Sequence, residues 1–289
     1  MTRSHLFKMV LALVLTLAAC GGDEGEVRGD KDTAGRETAA DVLIPDTPRA
    51  DVPEGLEATQ PDWGDFDACI YSGRVTDPQG QPLEGLPVVI CSEDSPFCGS
   101  DKTDAQGAWR VAGLQRTALG AKVLGALLGH SSVTIPLAAC ERPETDIGTI
   151  LSYPLPAGQV VTAAEGGSAQ AHPDLRLDLP AGLEFPNFDE AIAIQAAAVD
   201  VTALHPNLAA QITPVAAYAI APYDTKAPAA VPIEARVPLS GGQVDVLVLD
   251  HLLGTFRLAF TAPVGADGLV TSPTGEGLPE LTWVAFVPH

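Results

Sequence analysis

From about residue 68 onward the apolar residues fall in short runs with a period of two, and proline or glycine closes most of the runs. This pairing of signals restricts the fold more than any other feature. A period of two sends alternate side chains to opposite faces of a strand, whereas an amphipathic helix needs a period of about 3.6. Proline inside a helix removes a hydrogen bond and clashes with the preceding turn. Leu175-Arg176-Leu177-Asp178-Leu179 and Ile233-Glu234-Ala235-Arg236-Val237 alternate cleanly, and Val244 to Leu249 reads as a buried strand. The 28 Gly and 25 Pro among 289 residues suit strands and turns better than helices. The expected fold is all-β, with two β-sandwich domains over residues 67–153 and 154–289.

The first 66 residues do not share this pattern. Arg3 and Lys8 precede an apolar run, Met9 to Ala18, that is too short to span a bilayer as a helix. Leu17-Ala18-Ala19-Cys20 follows directly. This arrangement resembles the signal peptide and lipobox of bacterial lipoproteins rather than an ordinary A-x-A cleavage site. The resemblance implies removal of residues 1–19 and lipid, a diacylglyceryl group and usually a further acyl chain such as palmitate, on Cys20. More than one acyl chain gives stable anchoring. Gly21, rather than Asp, follows Cys20; under the sorting rule of enteric bacteria this implies the outer membrane. Residues 20–66 then carry many carboxylates, among them Asp23, Glu24, Glu26, Asp30, Asp32 and Glu37, punctuated by Pro45, Pro48, Pro53 and Pro61. With no sustained apolar period, a disordered acidic tether is expected.

The formal net charge is -21. Without a basic patch nothing replaces the counterions of a phosphate backbone, so a nucleic-acid partner is excluded as an expectation. Of the five cysteines, Cys20 belongs to the lipobox, leaving Cys69, Cys91, Cys98 and Cys140. An even number in an exported chain points to two disulfides. There is no C-x-x-C, and no histidine sits at ligand spacing from these cysteines, so no metal or other cofactor is expected on them.

In the first half, Ile70 to Val75 alternates, Asp77-Pro78-Gln79-Gly80 has turn chemistry, and Leu86 to Cys91 is a second strand. Ala108 to Leu114 follows another turn, and further strands are expected at Ala121 to Leu128 and Val133 to Ala139. The residues Gly73, Val75, Asp77, Gly80, Pro82, Leu83, Gly85 and Val88, followed by Thr103, Asp104, Gly107, Trp109, Val111, Gly113 and Leu114, make a pattern that resembles the carboxypeptidase regulatory-like domain. Asp146-Ile147-Gly148-Thr149-Ile150 fits the close of such domains. The resemblance implies a seven-stranded, transthyretin-like sandwich that is an accessory module without catalysis. Within that fold Cys91 ends one strand and Cys98 lies across a short loop, while Cys69 begins the first strand and Cys140 ends a late one. The pairing that fits is Cys91–Cys98 and Cys69–Cys140, although the sequence alone permits three pairings.

The second half distantly resembles the β-sandwich of ankyrins, netrin receptors and bacterial surface proteins. The likeness rests on Leu177-Asp178-Leu179-Pro180-Ala181-Gly182-Leu183 and on Ala221-Pro222-Tyr223 leading to Val231-Pro232-Ile233. In eukaryotes that domain is an interaction module. No binding residues transfer from it.

No catalytic set assembles from the sequence. Gly129-His130-Ser131-Ser132-Val133 lacks the second glycine and the following helix of a nucleophile elbow and reads as a hairpin turn. His-Glu-x-x-His is absent, and His130, His172, His205, His251 and His289 are isolated along the chain. Asp94, Asp101 and Asp104 cluster near one end of the first sandwich in a manner open to calcium, but without an EF-hand pattern. Trp63, Trp109 and Trp283 are the available aromatic platforms for a sugar, and only Trp63, in the tether, is expected to be exposed. The expectation is a non-enzymatic, lipid-anchored protein of the bacterial cell envelope, held to a membrane by Cys20 and displaying β-sandwiches to a protein or cell-wall partner. The alternatives are a glycan-binding accessory lipoprotein and a hydrolase with an unrecognised site.

Overall fold

The computed structural model describes residues 69–92, 95–114, 118–138, 144–186 and 190–289. The expected signal segment and acidic tether, with Cys20 and Trp63, as well as Asp94 and Cys140, lie outside the described residues. The described chain is all-β. Its first half contains β1 (Cys69–Thr76), β2 (Pro87–Ser92), β3 (Ser95–Lys102), β4 (Ala108–Leu114), β5 (Ala118–Val123), β6 (Val133–Pro136) and β7 (Glu144–Leu151). Its second half contains β8 (Gln159–Thr162), β9 (Gly167–His172), β10 (Leu175–Leu179), β11 (Ala191–Ala198), a one-turn helix α1 (Pro206–Ala209), β12 (Ala216–Ala221), β13 (Thr225–Val231), β14 (Ile233–Arg236), β15 (Gln243–Leu249), β16 (Phe256–Pro263), β17 (Leu269–Thr271), β18 (Leu278–Leu281) and β19 (Trp283–Pro288). Among the described residues no helix is long and apolar enough to cross a membrane.

The first seven strands form two sheets, β4-β1-β7 and β3-β2-β5-β6, matching the strand number that the sequence resemblance implies. The β1–β7 ladder is parallel, with Ile70 opposite Glu144, and the other ladders of this half are antiparallel. Along β1, Cys69, Tyr71, Gly73 and Val75 are buried and alternate with more exposed residues, the signature of a strand with one face on a core. Two segments differ from the sequence reading. The short loop expected between Cys91 and Cys98 is tighter than that, because Ser95–Lys102 forms β3, paired along β2 so that Cys98 stands opposite Cys91. The expected strand over 121–128 stops at Val123, because Gly125 turns the chain into a short 3₁₀ segment, Ala126–Leu128, and its amide donates to Ser132 Oγ at 3.0 Å.

The second half is built on a four-stranded sheet, β17-β14-β10-β9, and a six-stranded sheet, β16-β15-β19-β12-β11-β8, with β13 and β18 as an added pair. The central strands of the six-stranded sheet are buried on both faces. On one face Ile194, Ala196, Tyr218, Ile220, Val246, Val284 and Phe286 pack against Leu175, Leu177, Ile233 and Val270 of the four-stranded sheet. On the other face Ala197, Ala217, Ala219, Leu249, Trp283 and Ala285 join the core that contains Tyr71, Val88, Ile90, Val111, Val133 and Ile135 of the first half. A strand buried on both sides must be apolar at successive positions rather than alternating, which accounts for Ala-Ala-Tyr-Ala-Ile-Ala in β12 and Trp-Val-Ala-Phe in β19. Four of these first-half-facing residues are alanine, leaving room for Trp283 to fill the junction. Trp283 is 3% exposed. Its Nε1–H donates to Ser132 O at 2.7 Å, and its ring meets Tyr153 edge-on at 6.1 Å.

Two smaller devices hold the halves together. The helix α1 buries Leu208 in the shared core. The ring of His205, just before α1, spans two elements: Nδ1 accepts from Asn207 N at 3.2 Å, which leaves Nε2–H to donate to Ile147 O of β7 at 2.8 Å. Asn207 Nδ2 donates to Pro136 O of β6 at 2.8 Å. The second device covers the free edge of β6, a strand that pairs only with β5 in its own sheet. The turn between β15 and β16 runs along it, and a Cβ on Gly254, whose φ is +66°, would stand 2.6 Å from Pro136 N. Gly120, on β5, faces Leu252 O of that turn with equally little room, at 2.9 Å. Glycine at both positions lets backbone meet backbone there, and covering an edge removes its open ladder groups from other chains.

Two outcomes follow from this packing. Because Trp283 fills a core built by both halves, Trp283→Ala should cost about 3–5 kcal/mol. Chemical denaturation, followed by far-ultraviolet circular dichroism, should show the described body unfolding in one transition in both forms; separate transitions for the halves would contradict the shared core. Burial depresses the His205 pKa below its ordinary value, with the bond to Ile147 O opposing this in part. The folded state therefore binds this proton less readily than the unfolded chain. The stability it contributes is present above the ordinary histidine pKa and is lost as pH falls through the depressed value. Unfolding free energy measured between neutral and mildly acidic pH should fall more steeply in the natural chain than in His205→Gln.

Candidate functional site at the junction of the two halves

A set of polar side chains at the junction, from buried Thr134 and Glu280 to half-exposed Arg257, surrounds His251. The turn Pro222–Asp224 between β12 and β13 supplies Tyr223 and Asp224, the β15–β16 turn supplies Asp250 and His251, β16 supplies Arg257, and β18 supplies Glu280. Lys122 of β5 and Thr134 of β6 reach in from the first half. Glu280 is only 7% exposed although it lies in a strand whose neighbours Leu278 and Leu281 are fully buried. Such a carboxylate needs partners. Its Oε1 accepts from Arg257 Nη2 at 2.9 Å, and its Oε2 lies 2.7 Å from His251 Nδ1. On the other side of the ring, His251 Nε2 is 3.2 Å from Asp224 Oδ1, and Lys122 Nζ donates to Asp224 Oδ2 at 3.1 Å.

The surroundings fix this set in place. Asp224 has a φ of +66°, a left-handed conformation uncommon outside glycine. Its amide donates to Leu281 O at 2.9 Å. Lys122 Nζ also lies 5.3 Å from the centre of the Tyr223 ring, within cation–π range. Thr134 Oγ1–H donates to His251 O at 2.8 Å, so the Tyr223 hydroxyl is the donor in its 3.0 Å bond to Thr134 Oγ1. Burial drives the Tyr223 phenol far above its ordinary pKa, keeping it a neutral donor. Burial also opposes ionisation of Asp250, but the amides of Leu253 and Leu252, with Arg257 and His251 nearby, outweigh it and hold that carboxyl below the ordinary carboxylate range. Beside the set is a groove of about 550 Å³ between the halves, with Lys122 and Asp224 at its polar end and Leu124, Pro186, Ile192 and Pro222 along its apolar wall. An apolar cleft with a few converging polar groups is the usual form of a small-ligand site.

The residues singled out from the sequence are distributed as follows. Cys91 and Cys98 form a disulfide with Cα atoms 4.1 Å apart. Cys69 is disulfide-bonded as well, while Cys140, its expected partner, and Cys20 lie outside the described residues. Ser131 and Ser132 are buried, with hydroxyls that accept from Tyr153 N at 2.8 Å and Gly125 N at 3.0 Å, so this turn closes the fold and presents no nucleophile. The two described members of the proposed calcium cluster are committed to backbone. Asp101 accepts from Lys102 N through Oδ1 and from Arg110 N through Oδ2, both at 2.8 Å. Asp104 Oδ1 caps its own turn through Gln106 N and Ala108 N. Trp109 and Trp283 are both buried and offer no surface for a sugar.

The set around His251 was not legible as a site. Lys122 and Asp224 are 102 residues apart, and His251 and Glu280 are 29 apart. The one local signal is a charge interrupting an apolar run, as Asp250-His251 does after Val244 to Leu249 and Glu280 does between Leu278 and Leu281.

No family model matches the chain, and no curated protein matches it. Among solved structures it is similar to a streptococcal ancillary pilin, with 13% identity over 78% of this chain and 55% of the pilin chain, at a TM-score of 0.24. The chain thus spans little more than half the length of that pilin.

Proposed function

We propose that this chain is a non-enzymatic, lipid-anchored protein of the bacterial cell envelope that presents a rigid β-sandwich body to a protein or cell-wall partner. The observation that carries the reading is Leu17-Ala18-Ala19-Cys20, placed directly after a basic start and a short apolar run. In the proposed arrangement Cys20 carries the lipid, residues 21–66 hold the body away from the bilayer by charge repulsion, and Gly21 directs the protein to the outer membrane. The structure supports the display part of this reading in one respect. The two halves share a core, so loops from both are held at fixed separations on one body, a suitable form for a surface that recognises an extended partner. The Cys91–Cys98 disulfide agrees with a compartment outside the reducing cytoplasm.

Cells fed labelled palmitate should yield a labelled protein that enters the detergent phase of a Triton X-114 partition. Cys20→Ala should lose both the label and the partitioning while keeping the fold. An unlabelled natural chain that fractionates identically to Cys20→Ala would remove the anchored reading. In-cell crosslinking of the anchored form should then capture an envelope protein or a wall fragment.

A further inference from the structure

We propose that His251 and Asp224 form a binding site for one borderline divalent cation such as zinc, with Glu280 as the orienting group behind the histidine. The argument starts from the gap between the ring and the aspartate. Glu280 is a carboxylate gripped by Arg257 through Oε1, and its Oε2 lies 2.7 Å from His251 Nδ1. An ionised carboxylate only accepts, so Nδ1 carries the ring proton in this pair. In the neutral ring Nε2 is then a bare lone pair. It faces a carboxylate oxygen, Asp224 Oδ1, at 3.2 Å. Two lone pairs at that distance repel unless something positive lies between them. A proton on Nε2 would make the ring an imidazolium paired with both carboxylates, 3.2 Å from Asp224, but the contact lacks hydrogen-bond geometry and Asp224 Oδ1 is buried without a donor. A metal ion satisfies both atoms. Ligands bound tetrahedrally at about 2.0–2.1 Å stand about 3.3 Å apart, close to the separation seen.

Three further features suit an ion. A buried acceptor without a donor is rare in folded proteins, and a bound ion is one of the few arrangements that account for it. Asp224 is the only described non-glycine residue with positive φ, and strain of that kind collects where a ligand is clamped. Lys122 and Arg257 hold the outer oxygens, Oδ2 of Asp224 and Oε1 of Glu280, leaving the inner oxygens facing the imidazole. All three residues offer ligand atoms within 4.8 Å of one another. The carboxylate–histidine–metal order is the arrangement in which an outer carboxylate fixes the ring tautomer and raises its basicity. An imidazole in the set disfavours calcium and magnesium, which prefer oxygen ligands alone, and favours zinc or a similar ion. Asp224 also lines the groove, which gives the ion and its remaining water ligands a way in.

The test uses the full-length natural chain without a histidine tag, equilibrated with zinc chloride and then dialysed. Elemental analysis and titration calorimetry should find one zinc equivalent per chain, and zinc should raise the unfolding temperature. Asp224→Asn and His251→Ala should lose the equivalent and the thermal shift. Glu280→Gln, which keeps the shape of the side chain, should weaken binding roughly 10- to 100-fold and serves as the readout if either of the other variants fails to fold. Absence of a saturable equivalent in the natural chain, or unchanged binding in the folded variants, overturns the site and leaves the set as an ion-pair network alone.

Discussion

The structure depends on one sheet whose central strands are buried on both faces. Strands β11, β12, β15 and β19 send alternate side chains into two different cores, so the second half cannot complete its own sandwich without also forming a wall for the first. Apolar burial stabilises by about 25 cal/mol per Å², and here the same backbone collects it on both sides. This arrangement explains the small residues on one face. Ala197, Ala217, Ala219 and Ala285 keep that face nearly flat, so β-strands and loops of the first half approach closely enough for Trp283 to reach the carbonyl of Ser132 at 2.7 Å.

A shared sheet sets the terms for the polar groups around it. Once the halves are pressed together, the side chains at the rim of the contact lose water and must find partners within the protein. Lys122 finds Asp224 and the Tyr223 ring, Thr134 finds Tyr223 and His251 O, and Glu280 finds Arg257 and His251. Each pair except Glu280 with Arg257 and His251 crosses from the first half to the second. The polar set is thus a consequence of the packing before it is anything else, and the exception at Asp224 Oδ1 stands out because every neighbour is satisfied.

The sequence made the strands legible where one face is buried. The alternation of Leu175 to Leu179 and of Ile233 to Arg236 appears as β10 and β14 with buried leucine, isoleucine and alanine facing one core. The Cys91–Cys98 bridge was likewise readable, because cysteine spacing is a local signal, whereas the count of seven strands came only from the family resemblance. What was hidden is non-local. Ala216 to Ala221 reads as an apolar run, and nothing in six consecutive apolar residues says that odd and even positions serve different cores. The same limit hid the junction site. His251 is isolated in sequence because its partners arrive from β5, the β12–β13 turn and β18, brought together only by the closure of the shared sheet. The strand Ser95 to Lys102 was hidden for a related reason. Pro96, Gly99 and the polar residues around them leave little strand signal, and its pairing along β2 comes from the partner strand and the disulfide rather than from its own composition.

This separation of local from non-local bears on what kind of function such a body supports. Where loops alone hold a site, local motion loosens it. Here the groove and the set around His251 are lined by both halves, and both halves are fixed by one sheet. Their relative positions therefore change only if the shared core opens, which costs far more than a loop movement. A surface or pocket of this kind is preorganised, so little of the interaction energy with a partner is lost to ordering the protein.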